Sequence, residues 1–319
     1  MTRWLITAVL AAALPVAIGA QSGYTPQRVF ESSHKQFTDF EAMLAEVSKA
    51  DVLMLGEQHD DPNTHRLELA VLEGLSRRRG EIILSLEMFE RDVQEPFDHF
   101  QMGHMEESEF LRDARPWPRY ATDYKPLVDF AIAKNWSVIA ANVPRPLASD
   151  VARNGLDALK AKPDSDKNLF AQDMRCATNG GYFKRFEEAM GDHPTGTPNG
   201  TAGATANASS AADAAAAHQA TARMYGAQCL KDETMAESIA QAYVARASGG
   251  KRPLIVHVTG AFHAEFGQGT AERVRRRLPD KRLLTISVLP IASLDTIAPD
   301  ATDRKRADYL IYTVKRSDK

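Results

Sequence analysis

The sequence predicts an α/β fold in which a mostly parallel central sheet is covered by helices on both faces. Short, almost continuous apolar runs alternate with longer segments in which apolar residues recur at helical spacing. Apolar runs without strict alternation are typical of parallel strands that are buried on both faces. Their alternation with helices favours right-handed crossover connections. The chain has 319 residues, of which 44% are hydrophobic, and is long enough to bury such a core.

Six short apolar runs are predicted to form the strands. They are Asp51–Leu55, Ile82–Leu86, Ser137–Ala141, Leu254–Val258, Leu283–Val288 and Tyr309–Val314. The predicted helices between them are Asn63–Arg79, Pro126–Lys134, Met235–Ala247 and Gln268–Leu278. Either Asn63 or Thr64 is placed to cap the first of these helices. We expect part of the helical material to form a lid region over the sheet.

The first twenty residues are predicted to be a signal peptide. Arg3 supplies a positive charge before an apolar run from Leu5 to Ile18, and the small residues Gly19 and Ala20 offer a cleavage site. No cysteine that could be acylated follows the run, so the sequence does not predict a lipoprotein. We therefore expect an exported protein, periplasmic or secreted, that contacts the membrane only through this segment before cleavage. An uncleaved anchor is the alternative.

Residues 21–319 are predicted to form a single α/β domain with a low-complexity insert at 191–220. The insert consists largely of Gly, Ala, Thr, Ser, Pro and Asn, and lacks the large apolar residues that offset the entropy of ordering. We expect it to be disordered, with some helix towards Ala211–Ala217, and do not expect His193 or His218 to be ligands. Cys176 and Cys229 flank it, and an even pair of cysteines in an exported protein predicts a disulfide.

The composition and motifs argue against several classes of function. Lys and Arg total 39 against 42 Asp and Glu, so the net charge of −3 gives no general electrostatic reason to bind nucleic acid. No glycine-rich phosphate loop follows a predicted strand, which argues against a nucleotide enzyme. The G-x-S-x-G motif of serine hydrolases is also absent from the sequence.

Carboxylates and imidazoles follow three of the predicted strands. The first strand runs into a G-E-x-H motif, in which Gly56 permits a sharp exit and Glu57 and His59 point to one side if the chain stays extended. Glu87 follows the second strand, and His263 follows the fourth in a G-x-x-H pattern. Ligands of open α/β sheets bind at this carboxyl edge. A buried ion pair explains any one of these residues, but four polar residues from distant segments favour a functional pocket.

The remaining histidines are less informative. His65 opens the first predicted helix and either lines the pocket or caps the helix. His257 lies inside an apolar strand, which is typical of a hydrogen-bonded core residue. The sequence around His34, His99 and His104 is polar and predicts that they lie at the surface.

Taken in order, these motifs resemble the ChaN-like haem-binding family, part of a wider group that includes Tiki proteases and erythromycin esterases. The matching segments are Leu55–Asp60 with Pro62 and His65, Leu86–Phe89 with Gln94, Trp117, Tyr124–Ala131, Val138–Arg145, Asp232–Ala236 and Gly260–His263. The resemblance spans about residues 40–290, and the ordered combination is more specific than any single motif.

The resemblance implies haem uptake or storage, in some members with a pair of stacked haems held across a homodimer. Because haem iron accepts His or Tyr, Tyr124 and Tyr182 are candidate axial ligands beside the four edge residues. The candidates for packing the porphyrin are Trp117, Met88, Phe89 and Tyr120, and those for pairing with its propionates are Arg145 and Arg119. The C-x-x-C-H attachment motif is absent from the sequence, so the expected haem is non-covalent.

The wider group implies a hydrolytic alternative at the same edge. Two histidines and one or two glutamates can hold a divalent metal ion that activates water. The metal ligands would then be Glu57, His59, Glu87 and His263. Without a metal, His59 or His263 would be the general base, assisted by the two glutamates. Two departures from the family are the missing acylatable cysteine and the insert, which lies where substrate contacts would otherwise be expected.

Overall fold

Eight strands form one mixed sheet in the computed structural model, which describes residues 24–191 and 211–316. The strands are β1 (Gln27–Glu31), β2 (Gln36–Thr38), β3 (Val52–Glu57), β4 (Ile82–Glu90), β5 (Ser137–Asn142), β6 (Leu254–Gly260), β7 (Leu283–Ile291) and β8 (Tyr309–Val314). Their order across the sheet is β2-β1-β8-β7-β3-β6-β4-β5. Strands β3 to β8 pair in parallel, whereas β1 pairs antiparallel with both β2 and β8.

All six predicted strands are present as β3 to β8, which confirms the predicted fold class. Several of them continue beyond their predicted ends through polar residues. Backbone pairing, such as that of Glu57 with Gly260, does not require an apolar side chain. The short antiparallel strands β1 and β2 were not predicted, since neither forms a continuous apolar run.

Helices cover both faces of the sheet. They are α1 (Phe40–Val47), α2 (Pro62–Ser76), α3 (Gln94–Gln101), α4 (Glu107–Ala114), α5 (Tyr120–Asp123), α6 (Lys125–Ala133), α7 (Arg145–Asn154), α8 (Gly181–Gly191), α9 (Ala211–Ala247), α10 (Gly269–Arg277) and α11 (Asp303–Arg306). Leu53 and Leu55 of β3 belong to the same core as the apolar residues of α2 and α6. Val52 and Met54, which point the other way, pack in the core formed with α9 and α10.

One prediction about a helix end was wrong, and one about a helix in the insert is confirmed. The N-cap of α2 is Asp61, whose carboxylate accepts from the backbone N–H of Thr64 at 2.8 Å, and neither Asn63 nor Thr64 caps this helix. Within the insert, the helix expected towards Ala211–Ala217 is present as the beginning of α9, which continues well past it to Ala247. Alanine has the highest intrinsic helix propensity, and the apolar residues further along α9 anchor this extension.

Parts of two predictions lie outside the described residues. They are the signal peptide at 1–20 and the portion 192–210 of the insert, which includes His193. Within the described part of the insert, the His218 side chain is 64% exposed.

The predicted disulfide between Cys176 and Cys229 is present. Cys229 lies in α9 and is buried in an aromatic cluster with Tyr182, Phe183 and Tyr225. The bond therefore ties the segment that precedes α8 to the middle of α9.

Across residues 24–191 and 211–316, no helix combines the length and the apolar character needed to cross a membrane.

The strand order brings the three sequence motifs together. Because β6 lies between β3 and β4, the segments that carry Glu57, His263 and Glu87 end side by side at the carboxyl edge of the sheet. In β4 the register towards β5 shifts between Leu86 and Glu90. Such an irregularity re-aims the side chains around it, here at the position of Glu87.

Candidate functional site

The first pair at the carboxyl edge is Glu57 with His59. Glu57 is the last residue of β3 and is buried, while the side chain of His59, in the turn that follows, is 45% exposed. Nδ1 of His59 forms a short contact with Oε1 of Glu57, which also accepts from the Tyr124 hydroxyl at 2.9 Å. The carboxylate thus orients the imidazole through Nδ1, and Nε2 has no hydrogen-bond partner among the described residues.

Gly56 does not form the sharp turn out of the strand (the sharp exit) that the sequence suggested. It lies inside β3, paired with Thr259 on one side and Ser287 on the other. A Cβ at this position would come 3.1 Å from the Cα of Ala261. Glycine therefore allows the segment after β6 to approach the end of β3 closely.

The second pair is Glu87 with His263, and both side chains are buried. Nε2 of His263 lies 3.3 Å from Oε1 of Glu87, and Nδ1 lies 2.7 Å from Oδ1 of Asp232 in α9. Oε2 of Glu87 accepts from the Thr259 hydroxyl at 2.6 Å and from the Gly260 N–H at 2.8 Å. This imidazole is held between two carboxylates, and its position is fixed from both ends.

Gly260 lies between the two pairs. A Cβ at Gly260 would be 2.7 Å from Nε2 of His59 and 3.7 Å from Oε2 of Glu87. The free nitrogen of His59 therefore faces the backbone that binds Glu87. The structure brings all four predicted edge residues into one site, with His59 on the exposed side and His263 at the buried side.

Electrostatics reinforces both pairs. Burial by itself would lower the pKa of His263, but the negative charges of Glu87 and Asp232 raise it to about 10. Burial would likewise raise the pKa of Glu87, but the charge of His263 and its hydrogen bond hold it well below its usual range. For His59, the cost of burial is outweighed by its hydrogen bond to Glu57 and the charge of Glu87, so its pKa is raised. The pair of His263 with Glu87 is therefore ionic at neutral pH.

Behind the first pair lies a buried group formed with α2. His65 is 4% exposed, and its Nδ1 lies 3.1 Å from Oε2 of Glu68 and 3.5 Å from Oε2 of Glu57. Nε2 of His65 lies 3.2 Å from the backbone oxygen of His59 and 3.4 Å from the carboxylate of Asp123. Of the two roles left open for His65, it therefore lines the site and does not cap α2.

Residues between α4 and α6 cover this part of the edge. The ring of Trp117 meets that of His59 edge to face at 5.1 Å, and the Arg119 guanidinium donates to the backbone oxygen of His59. Trp117 is half-buried and Arg119 is exposed. Together with the hydroxyl of Tyr124 on Glu57, these contacts correspond to the expected lid region.

The two candidate tyrosine ligands are both deeply buried hydrogen-bond donors. Tyr124 is 2% exposed and donates to Glu57, while Tyr182 is 5% exposed and donates to Oδ2 of Asp232 at 2.8 Å. Burial and the neighbouring carboxylates raise the pKa of both phenols well above their usual range. In this conformation both hydroxyls are therefore engaged as protonated donors to carboxylates.

The other residues predicted to contact haem differ in their exposure to solvent. Met88, Phe89 and Tyr120 are buried in the main core, where Phe89 packs on Phe97 at 4.9 Å, so they present no face to a ligand. Arg145 is 71% exposed at the start of α7 and lies 3.9 Å from Glu90.

The other histidines agree with their predicted environments in most respects. His257 is buried in β6, and its Nδ1 lies 2.9 Å from the hydroxyl of Ser85, while Nε2 has no partner among the described residues. Burial lowers the pKa of His257 to about 4. His34, His99 and His104 are exposed, as predicted.

Sequence reasoning missed the partners that complete the site. Asp232, Glu68 and Asp123 are buried carboxylates on three different helices, and each meets a histidine of the site. The motif containing Asp232 contributed to the family resemblance, but its role as the partner of His263 was not predicted. The sequence did contain a signal for these residues: each is charged but lies at a helix position that periodicity places on the buried face.

Comparisons with known proteins agree with this architecture. The protein family described as "Haem-binding uptake, Tiki superfamily, ChaN" matches residues 43–274. Among solved structures, ChaN of Campylobacter jejuni, described as showing cofacial haem binding, aligns with a TM-score of 0.63 at 16% identity. That alignment covers 91% of this chain and 97% of the ChaN chain. An erythromycin esterase aligns with a TM-score of 0.43 at 12% identity, over 91% of this chain and 83% of its own.

Among curated proteins, the chain matches Protein RETICULATA-RELATED 5, chloroplastic, of Arabidopsis thaliana. The two are 25% identical over 253 residues, which is 76% of this chain. The chain spans only 31% of the length of that relative.

Proposed function

The chain belongs to the ChaN group of haem-binding uptake proteins in the Tiki superfamily, and on that premise we propose that it binds haem non-covalently at the carboxyl edge of its parallel strands. The family match over residues 43–274 is the observation that carries the proposal. The absence of a C-x-x-C-H motif from the sequence supports the non-covalent mode.

His59 is the proposed axial ligand of the haem iron. Histidines that bind metals usually donate their other ring N–H to a carboxylate, which fixes the tautomer and raises the basicity of the ligating nitrogen. The contact of Nδ1 with Glu57 meets that requirement and leaves Nε2 for iron. The partial exposure of His59 and the adjacent indole of Trp117 suit a porphyrin that approaches from solvent. Arg119 and Arg145 are the proposed partners of the propionates.

Export and a role in haem uptake or storage are also part of the proposal. The apolar segment at Leu5 to Ile18 supports export, and the disulfide between Cys176 and Cys229 suits an oxidising compartment. A homodimer that holds two stacked haems is a proposed extension of the same function.

The test is a titration of the purified chain with haemin, followed by visible absorption. We expect saturable binding at micromolar haemin, and a loss of affinity of more than about 100-fold in His59→Ala, since even second-shell changes at metal sites cost about 10–100-fold. The matched control is His104→Ala, an exposed histidine that should leave binding unchanged.

The outcomes of this titration test the identity of the axial ligand and the haem-binding function separately. Tyr124→Phe and Tyr182→Phe should keep the haem spectrum of the wild type. If either removes a ferric tyrosinate charge-transfer band while His59→Ala does not, the ligand assignment is wrong and haem binding stands. If the wild type binds no haemin at micromolar concentration, the proposed function is wrong.

A metal-dependent hydrolase is the second candidate, and the two carboxylate–imidazole pairs on either side of Gly260 favour it. Glu57, His59, Glu87 and His263 would hold the ion, which would supply an activated water. In that case His59→Ala and His263→Ala should each remove most of the bound metal and abolish hydrolysis of a model peptide or ester. Hydrolysis that survives both substitutions would rule out this candidate.

A further inference from the structure

The buried group behind His59 combines an imidazole with two carboxylates that have unused oxygens. Glu57 and Glu68 are 2% and 0% exposed, and His65 is 4% exposed. Oε2 of Glu57 and Oε1 of Glu68 have no hydrogen-bond partner among the described residues. Buried polar atoms without partners are rare and costly. These two carboxylate oxygens therefore favour an additional partner, a proton or a cation, beyond the surrounding protein atoms.

Both nitrogens of His65 lie near carboxylates, and a hydrogen bond from Nε2 to the backbone of His59 corresponds to the tautomer in which Nδ1 has no proton. Nε2 is positioned to donate its proton to the backbone oxygen of His59 at 3.2 Å, with the carboxylate of Asp123 at 3.4 Å. In that tautomer Nδ1 carries a lone pair. This lone pair faces Oε2 of Glu68 at 3.1 Å and Oε2 of Glu57 at 3.5 Å. In that tautomer three acceptors of buried side chains face one another, and a cation between them removes the repulsion.

We infer that His65, Glu57 and Glu68 form a buried binding site for a divalent transition-metal ion of the Zn²⁺ type. One ligand atom of each residue lies within 4.8 Å of the others. The site shares Glu57 with the edge site of the hydrolase candidate, but it differs from that site and from the proposed haem ligand in its other two residues, His65 and Glu68.

The observed spacings agree with such an ion. Zn²⁺ takes imidazole nitrogen and carboxylate oxygen at about 2.0–2.2 Å in tetrahedral geometry, so two of its ligands lie roughly 3.4 Å apart. The distances of 3.1 and 3.5 Å from Nδ1 of His65 fall on either side of that value. The hydrogen bond of Nε2 to a carbonyl or carboxylate is the outer contact that metal-bound histidines usually make. The net charge of two carboxylates and one neutral imidazole is compensated by a dication.

Glu57 connects this site to the edge. Its Oε1 accepts from His59 and Tyr124, while its Oε2 faces His65. An ion on Oε2 would fix the carboxylate that orients His59 and so hold Nε2 of His59 in place.

A shared proton is the alternative occupant. Burial and the neighbouring carboxylate of Glu57 raise the pKa of Glu68 well above its usual range when no cation is present. A protonated Glu68 could then donate to Nδ1 of His65. Metal analysis distinguishes the two occupants because a proton leaves no metal behind.

The experiment measures zinc in the purified full chain by mass spectrometry and then by titration of chelator-treated protein with Zn²⁺. We expect about one Zn²⁺ per chain in the wild type. Glu68→Gln, which keeps the shape of the side chain, and His65→Ala should each weaken binding more than about 100-fold. Glu87→Gln is the matched variant at the edge and should retain the ion.

Thermal unfolding provides a second readout, because the Tm of the wild type can be compared with and without Zn²⁺. Zn²⁺ should raise the Tm of chelator-treated wild type, because a ligand that binds only the folded state stabilises it, and should not raise the Tm of Glu68→Gln. The inference is overturned if the wild type binds no Zn²⁺ at micromolar concentration, or if Glu87→Gln loses the ion as completely as Glu68→Gln. A haemin titration of the same metal-free protein tests the proposed function by itself, so a failure to bind Zn²⁺ and a failure to bind haem are distinguishable.

Discussion

Gly260 leaves room for the imidazole of His59: a Cβ at position 260 would lie 2.7 Å from Nε2 and 3.0 Å from Cε1 of that ring. The backbone of Gly260, with φ −52° and ψ 136°, is accessible to any residue. The requirement for glycine is therefore one of space, and it links the end of β6 to the residue that the proposed haem site depends on.

Gly260→Ala should displace His59 and weaken haemin binding by about tenfold or more, since overpacking of this kind costs about 1–3 kcal/mol. The measurement is a haemin titration beside a thermal melt. Gly80→Ala, where a Cβ meets nothing within 4 Å, is the matched control. Unchanged haemin affinity in Gly260→Ala would mean that the position of His59 does not matter for binding.

The stability contributed by protonated His263 should depend on pH. Its pKa is raised from 6.5 to about 10 in the folded chain by Glu87 and Asp232. The contribution is therefore complete below about pH 6.5 and is lost as the pH rises towards about 10. Denaturant unfolding of wild type and His263→Gln should show a difference in free energy that shrinks steadily over this interval. A difference that stays constant or grows would contradict the ion pairs described for His263.

Reduction of the disulfide between Cys176 and Cys229 should destabilise the chain by about 2–4 kcal/mol. The bond closes a sequence separation of 53 residues, and removing it restores the entropy of that loop in the unfolded state. Unfolding of wild type can be compared with the Cys176→Ser/Cys229→Ser variant. Thiol titration of denatured, unreduced protein should find no free thiol, and two free thiols would refute the pairing in the isolated protein.

Export should leave a mature chain that lacks residues 1 to about 20. The positively charged start and the apolar run of Leu5 to Ile18 lead to this expectation. Intact-mass analysis of protein recovered from the periplasm or the medium is the measurement. A mass that includes Met1 to Ala20 would indicate an uncleaved anchor.

The sequence was sufficient to predict the six parallel strands and the four residues at their carboxyl edge. Buried strands are specified locally, because a strand covered on both faces must be apolar along its length, and the polar residue that ends such a run is visible in the sequence. This is why Glu57, Glu87 and His263 could be placed at one edge before the strand order was known. The disulfide could be predicted because the chain has only two cysteines.

The tertiary structure alone decided which helices complete the site and which aromatic residues remain accessible. Insertion of β6 between β3 and β4 sets His263 beside Glu87, and packing of α9 and α2 supplies Asp232 and Glu68. Periodicity assigns a residue to a buried helix face but does not reveal the strand end it meets, because that depends on contacts between segments far apart in sequence. For the same reason Tyr124 and Tyr182, promising as ligands in the sequence, are buried donors to carboxylates in the folded chain.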